Sequence, residues 1–511
     1  MKKIIFYIIL LFIFIYGVYI RYYELGTGSF WIDEGYSSIV SYFSYLNNFI
    51  PFLPNDKYDF GNYIFTFLQN ISFKNFGISD YSARIPSFVL GILNMIIYFI
   101  FSKELLKNNK HKNIALLFMM FLFTFSTWQI IWSREARFYE LLSFIYLSNT
   151  YLLWKYSLNN DFKYYLWFLV LTLIGVIFHP FCFGFFIVGL ILFIYKIIKE
   201  REKNKYISLF GLIIVLLIYG IIDLGFKYIS IKNLNITNSI PLLNSLGDFN
   251  YITYLYFYIE SIYNQLGIIF ISYIIGIGYY IYKGKVVEFI IFGLLIIINI
   301  LFISYGYMAH TRYMFHLYSI ITLIGGYSII NIIGYLLDDY IGKFKKSLII
   351  ITIIVSIVGI YKSYNLTILA QRFYYIDYTS PKPNFKMAYS YLEKNHPKSF
   401  IVSGFPHLCY WYNLKNVDIC KYGIKINLTG SKNLDKNIID AKYENYTNIS
   451  YLNDIKEIDN IEKYYFVLDD LTIKNSLNKQ FINNIINNCQ LIYKDIGNNE
   501  PSNFLGIWHC K

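Results

Sequence analysis

Long apolar runs recur along this chain, and they decide most of what it can become. Leu-, Ile- and Phe-rich stretches of about 18 to 22 residues each have the length a helix needs to cross ~30 Å of hydrocarbon. Inside lipid, only helices and closed barrels satisfy every backbone N–H and C=O. Composition agrees. Hydrophobic residues make up 56%, charged residues only 15%, and mean hydropathy is +0.43, whereas roughly a quarter of a soluble domain is charged. Intrinsic disorder and an ordinary soluble enzyme are both excluded. The net charge of +13 leaves a choice between a nucleic-acid partner, an anionic membrane surface and a pure orientation signal.

Eleven spans are expected, at 4–20, 84–101, 114–132, 138–154, 164–180, 181–197, 206–222, 265–282, 289–305, 313–337 and 348–364. Lys2 and Lys3 precede the first. Lys103, Lys107, Lys110 and Lys112 follow the second, Lys196 to Lys205 the sixth, and Lys343, Lys345 and Lys346 the tenth. All fall on one side, which the positive-inside rule makes cytoplasmic. The first run has no small-residue cleavage site behind it and reads as a retained anchor. Most of the basic excess is therefore an orientation signal, and a nucleic-acid partner loses its support.

An odd number of crossings puts the tail outside. The expected architecture is an all-α polytopic membrane protein, residues 1–364, followed by a soluble extracytoplasmic α/β domain, 365–511. Phe400–Val402 and Tyr465–Leu468 read as strands, and Asn384–Lys394 and Gln480–Asn488 as helices. Six Asn-x-Ser/Thr sequons (Asn70, Asn235, Asn365, Asn427, Asn445, Asn448) all fall on the outer side. Cys409, Cys420, Cys489 and Cys510 lie in the outer domain, where an oxidising exterior permits two disulfides in any of three pairings, or none. Cys182 lies in a span.

Ionisable groups at a membrane edge carry more information than those in water, because each is costly unless partnered. The first outer loop, 21–83, opens with Phe30-Trp31-Ile32-Asp33-Glu34-Gly35-Tyr36. Its adjacent carboxylates read either as acids in the first turn of a helix or as a general base, Asp33, facing a site at the membrane surface. The loop ends in Ser79-Asp80-Tyr81-Ser82-Ala83-Arg84-Ile85-Pro86-Ser87, where Arg84 is either a snorkelling side chain or a site residue. Ser133-Arg134-Glu135-Ala136-Arg137-Phe138-Tyr139-Glu140 follows the third span. A helix there would put Arg134 and Arg137 on similar faces, and Arg134 could pair with Glu135 or Glu140. His310, Arg312 and Tyr313 open the tenth span. Guanidinium suits a lipid-linked phosphate, since it stays charged and offers a fork of donors. Transfer of a sugar from such a carrier expels a phosphate, which needs positive charge and no proton, so a single base suffices.

In that order, these four stretches resemble the polyprenyl-phosphate-sugar-dependent glycosyltransferases of the GT-C superfold, specifically the protein O-mannosyltransferase and aminoarabinose-transferase group. The resemblance covers about 1–340 and extends loosely into the outer domain. It implies that Asp33 is the catalytic base and that Glu34 shapes the acceptor site. It makes Arg84, Arg134, Arg137, His310, Arg312 and Tyr313 candidates for donor-phosphate or structural contact. One departure is that the family's first loop usually carries a His-Pro-Pro-Leu-Tyr-like stretch. Here the chain reads Tyr58-Asp59-Phe60-Gly61-Asn62-Tyr63, with Asp59 or Asn62 in that place. His179-Pro180 at the end of the fifth span is a further candidate, read as a structural helix end.

The expected activity is inverting transfer of a mannose-like hexose or pentose from a polyprenyl-phosphate carrier to a protein, lipid or glycan hydroxyl on the outer face of a cell membrane. No zinc-type ligand spacing is present and the residues single out no cofactor, though Asp33, Glu34 and Asp59 could bind a divalent ion transiently. Two readings compete. A polysaccharide polymerase or ligase would use diphosphate-linked glycans, but leaves the Asp-Glu pair unexplained. A lipid-glycan transporter would place its charges nearer the bilayer midplane and show inverted repeats.

Overall fold

The computed structural model describes residues 3–50, 63–199, 205–233, 251–304, 310–339, 383–397, 399–414, 417–420, 422–424, 450–452, 464–476, 478–496 and 504–510. In chain order the helices are α1 (Lys3–Tyr22), α2 (Ile32–Leu46), α3 (Tyr63–Phe76), α4 (Asp80–Leu105), α5 (Lys112–Thr124), α6 (Thr127–Trp132) and α7 (Tyr139–Asn159). They continue with α8 (Phe162–Phe178), α9 (Phe183–Lys199), α10 (Lys205–Asn233), α11 (Tyr251–Leu266), α12 (Ile268–Tyr282), α13 (Val286–Ser304) and α14 (Phe315–Asp339). Among the described residues, Lys3–Tyr22, Asp80–Leu105, Pro180–Lys199, Val286–Ser304 and Thr311–Ile333 are long and apolar enough to cross a membrane. The pair α11 and α12 adds a sixth crossing if taken as one broken span. Shorter apolar helices run over Lys112–Thr124, Phe162–Phe178 and Tyr206–Gly220. The chain is a multi-pass membrane protein. On α1 the outward Ile8, Leu11, Phe12 and Ile15 are exposed while Phe6, Ile13 and Gly17 are buried, as a lipid-facing helix requires.

Where helices and expected spans differ, the sequence supplies a reason. The third run is two helices, parted at Phe125 and Ser126. The fourth, α7, carries many Tyr, Ser, Asn and Thr and is too polar to count as an apolar span. Most of its side chains are buried in protein, so its surface never has to match lipid. Helix α11 is not among the expected spans, because Glu260, Asn264 and Gln265 interrupt its apolar run. It meets α12 at a bend of 112°, made at Gly267, whose φ of +49° is left-handed and open to glycine. The eleventh expected span, 348–364, lies outside the described residues.

Contacts divide the chain into two compact units. One comprises 1–23, 87–134 and 138–373. Its helices are tied by short polar bonds: Asn149 Nδ2 donates to Thr172 Oγ1 at 2.9 Å between α7 and α8, and Gln129 Nε2 to Ser319 Oγ at 3.2 Å. Gly325 lets α14 approach the backbone of α12, since a Cβ there would overlap the Ile269 carbonyl.

The other unit comprises 24–86, 135–137 and 374–511. It adds α15 (Phe385–Asn395), α16 (Pro406–Tyr412), α17 (Asp470–Asn475) and α18 (Lys479–Asn488). Its strands are β1 (Phe400–Ser403), β2 (Tyr422–Gly423), β3 (Ser450–Tyr451), β4 (Tyr464–Asp469), β5 (Gln490–Ile496) and β6 (Phe504–His509). They form one sheet, β3-β2-β1-β4-β6-β5. The first four strands in that order run parallel, and β6 pairs antiparallel with both β4 and β5. Strand β4 is buried throughout. Phe466 and Leu468 pack with Phe481, Ile485 and Trp508 on one face, and Tyr465 and Val467 join Leu408 and Trp411 on the other. That second core also holds Phe30, Ile32, Ile39 and Phe73 of the first loop. Cys409 bonds Cys420 and Cys489 bonds Cys510, which resolves the three pairings, and Cys182 is a buried thiol. The sequon at Asn70 is closed to modification in the fold: the side chain is buried, with Nδ2 donating to Ser44 Oγ at 2.8 Å. The other five sequons lie outside the described residues.

Candidate active site

The two adjacent carboxylates have opposite fates. Both stand in the first turn of α2. Glu34 is wholly buried and meets Arg84, equally buried, through Nε–Oε1 at 2.8 Å and Nη2–Oε2 at 3.0 Å. The Ala136 N–H donates to Oε1 at 2.8 Å, and the Trp31 N–H lies 3.4 Å from Oε2, the reach-back of a residue at the third helical position. The remaining N–H donors of Arg84 go to the carbonyls of Leu25 (3.0 Å), Gly28 (2.9 Å) and Ser29 (3.3 Å). All five guanidinium donors are thereby engaged, and Arg84 Cζ stacks 4.9 Å over Phe30. This pair clamps the segment 25–34. A buried ion pair holds only when hydrogen bonds satisfy its remaining polar atoms, and here they do.

Asp33, one residue earlier, keeps a side chain 20% exposed, with Oδ2 3.5 Å from Arg137 Nη2. Arg137 Nη1 also donates to the Asp33 carbonyl (3.2 Å) and to Ser37 Oγ (2.6 Å). One guanidinium thus holds backbone and side chain of the same aspartate, whose carboxylate is buried less completely than that of Glu34.

Arg134 and Arg137 do not share a helical face. Residues 133–138 form a turn between α6 and α7, so three-residue spacing sets no common direction. Arg134, 3% exposed, donates from Nη1 to the carbonyls of Ile20 (2.8 Å) and Arg21 (3.1 Å). It caps the last turn of α1, where carbonyls lack helical partners. Glu140, its other expected partner, accepts from Asn94 Nδ2 at 2.6 Å.

His310, Arg312 and Tyr313 lie together before α14, in and beside a 3-10 turn over Thr311–Met314. Arg312 Cζ is 5.6 Å over the Tyr313 ring, and the His310 ring meets Tyr313 edge-on at 5.6 Å. All three are partly exposed, which makes Arg312 more accessible than Arg84, Arg134 or Arg137. His179 ends α8 and accepts from the Phe181 N–H at 3.3 Å, a structural cap. Asp59 and Asn62 lie outside the described residues. Among the described residues no group of three His, Cys, Asp or Glu side chains could hold a metal ion.

Several solved structures are similar to this chain. The crystal structure of ArnT from Cupriavidus metallidurans bound to undecaprenyl phosphate is similar with a TM-score of 0.63 over 98% of this chain and 97% of that one, at 10% identity. The apo oligosaccharyltransferase of Archaeoglobus fulgidus is similar with a TM-score of 0.58 over 92% of this chain and 70% of that one, at 12% identity. The chain has the GT-C fold. The archaeal oligosaccharyltransferase AglB from the same organism, in complex with an inhibitory peptide and a dolichol-phosphate, gives a TM-score of 0.53 over 82% and 64%, at 12% identity. No protein-family model and no curated protein sequence matches the chain.

The short helix α16 carries residues that no motif in the sequence announces. Tyr412 Oη accepts from the Phe30 N–H at 2.7 Å, Trp411 Nε1 donates to Asp80 Oδ1 at 2.7 Å, and His407 Nε2 sits 3.0 Å from the Ile32 carbonyl. Burial holds the His407 imidazole down at about 4, with the Ile32 bond and the Asp33 charge pulling the other way, so it is neutral near pH 7. Nothing in the spacing of residues 406–412 marks them. Their partners are more than 300 positions away.

Proposed function

We propose that the protein is an inverting glycosyltransferase, drawing a mannose-like hexose or a pentose from a polyprenyl-phosphate carrier and passing it to an acceptor hydroxyl at the outer face of a cell membrane. The observation that carries this reading is the division between two neighbouring acids. Glu34 is buried against Arg84, while Asp33 stays partly open beside Arg137. An acid that is held but accessible suits a base. The GT-C fold, found also in proteins solved with undecaprenyl phosphate or dolichol-phosphate, supports the choice of donor.

In the proposed step, Asp33 takes the proton of the acceptor hydroxyl as its oxygen attacks the anomeric carbon. The bond from that carbon to the phosphate oxygen breaks on the opposite side, and its electron pair leaves with polyprenyl phosphate. Arg312, assisted by His310 and Tyr313, is assigned to the departing phosphate, where a fixed positive charge replaces an acid catalyst. Arg137 orients Asp33. Arg84, Arg134 and Glu34 are assigned to holding the backbone, and Asp59 remains a candidate for contact with sugar or acceptor. The N-terminus is proposed to be cytoplasmic and the C-terminal domain extracytoplasmic.

Purified protein incubated with radiolabelled sugars on polyprenyl monophosphate and on polyprenyl diphosphate tests the donor class. Transfer from a monophosphate sugar is expected. Transfer from diphosphate-linked glycans alone would favour a polymerase or ligase, and uptake into liposomes without transfer would favour a transporter.

A further inference from the structure

The first turn of α2 is gripped on two successive carbonyls. Arg137 Nη1 holds that of Asp33 at 3.2 Å, and His407 Nε2 holds that of Ile32 at 3.0 Å. A carbonyl only accepts, so Nε2 carries the proton and donates. The donor is well fixed. His407 is 4% exposed and sits in the first turn of α16, which opens on Pro406 and is pinned by the Cys409–Cys420 disulfide. The two helices touch closely because residue 35 is glycine: a Cβ there would overlap Leu408 Cδ2 and come within 3.2 Å of His407 Cδ2. At its other end α16 holds the Phe30 N–H and Asp80.

We propose that His407 is a positioning residue for the transfer reaction, its Nε2–H fixing the Ile32 carbonyl and hence the direction in which the Asp33 carboxylate points. This rests on Asp33 being the base. Side-chain direction follows the backbone at the preceding peptide, so a helix start held on one carbonyl can pivot and one held on two cannot. The C-terminal domain then contributes to catalysis through a bond one residue away from the reacting group. A misplacement of about 1 Å far from the chemistry can lower a rate about 100-fold, which sets the scale of the effect.

The test compares His407→Leu, which keeps the volume and removes the donor, with His407→Gln, which keeps an N–H donor, in the full-length protein with a polyprenyl-phosphate sugar. His407→Leu is expected to lower kcat by 10- to 100-fold with KM for the donor within about threefold, and His407→Gln to recover most of kcat. Joined to Asp33→Asn, His407→Leu should add no further loss, since it acts through that carboxylate. Unchanged kcat in His407→Leu, a change confined to KM, or equal loss in both variants would overturn the proposal. Should His407→Leu not fold, His407→Met serves the same comparison and is read by the same outcomes. Asp33→Asn alone separates the two levels. If it retains near-normal turnover, the assignment of the base fails. If it is inactive while His407→Leu is normal, only the positioning role fails.

Discussion

Of the residues at this site, Glu34 and Arg84 bear the structural load, and their loss should be read in stability. Removing one partner of a buried, hydrogen-bonded pair leaves the other charge uncompensated, at about 3–5 kcal/mol. Glu34→Gln and Arg84→Gln should each lower denaturant stability in detergent by that order, and the double variant by less than the sum of the two. Additive losses would contradict a direct pair. His407 gives a pH signature. Its folded-state value is held below the ordinary 6.5 by burial, to about 4. The unfolded chain therefore binds a proton first as pH falls, and the contribution of neutral His407 to stability is present above about 6.5 and lost between there and 4. At about 1.4 kcal/mol per unit, the loss is roughly 3 kcal/mol. Unfolding midpoints at pH 7 and pH 4.5 should fall further apart in wild type than in His407→Gln, and equal spacing would refute the assignment. Residue types at this site were legible from sequence, their division of labour was not. Asp33-Glu34 announces two acids, but which one is buried depends on Arg84, fifty positions away, and on the Ala136 N–H, 102 positions away.

Among the elements, hydropathy located the apolar runs well and failed where burial in protein replaces burial in lipid. Helix α7 is expected as a span and exists as a helix, yet its Tyr, Ser, Asn and Thr side chains are accommodated by neighbouring helices rather than by lipid. A helix through Arg134 and Arg137 would have aligned them, but residues 133–138 are a turn between α6 and α7, where helical spacing sets no common direction. Strands β1 and β4 were readable as short apolar runs. Their parallel order was not, since parallel neighbours are joined by long connections rather than hairpins. Close helix contact supplies a test at this scale. Gly325→Ala would press a methyl onto the Ile269 carbonyl, a backbone atom that cannot rotate aside, and overpacking of this kind typically costs about 1–3 kcal/mol. Gly278→Ala, with open space around the added atom, is the control and should leave thermal stability nearly unchanged. Equal melting of the two variants would mean that α12 and α14 are not in close contact.

For the molecule as a whole, the apolar runs made a multi-pass membrane protein legible from the start, and the ordered motifs pointed to the GT-C fold that comparison bears out. What they could not reveal is that the first loop, 24–86, shares a hydrophobic core with strands near the C-terminus, because nothing in a linear pattern records contacts across more than 300 residues. Orientation is testable directly. Lys474, 64% exposed on α17, replaced by cysteine should react with a membrane-impermeant maleimide on intact cells, whereas Lys110→Cys should react only after permeabilisation. The reverse pattern would invert the proposed topology. The central claim is that Asp33 deprotonates the acceptor. Its most direct test is the single-turnover rate of Asp33→Asn at saturating polyprenyl-phosphate sugar, beside wild type and with unfolding temperature recorded for both. A general base contributes about 10²- to 10⁴-fold, so the account predicts a loss of that order with folding and donor affinity preserved. Near-normal transfer by Asp33→Asn would contradict it.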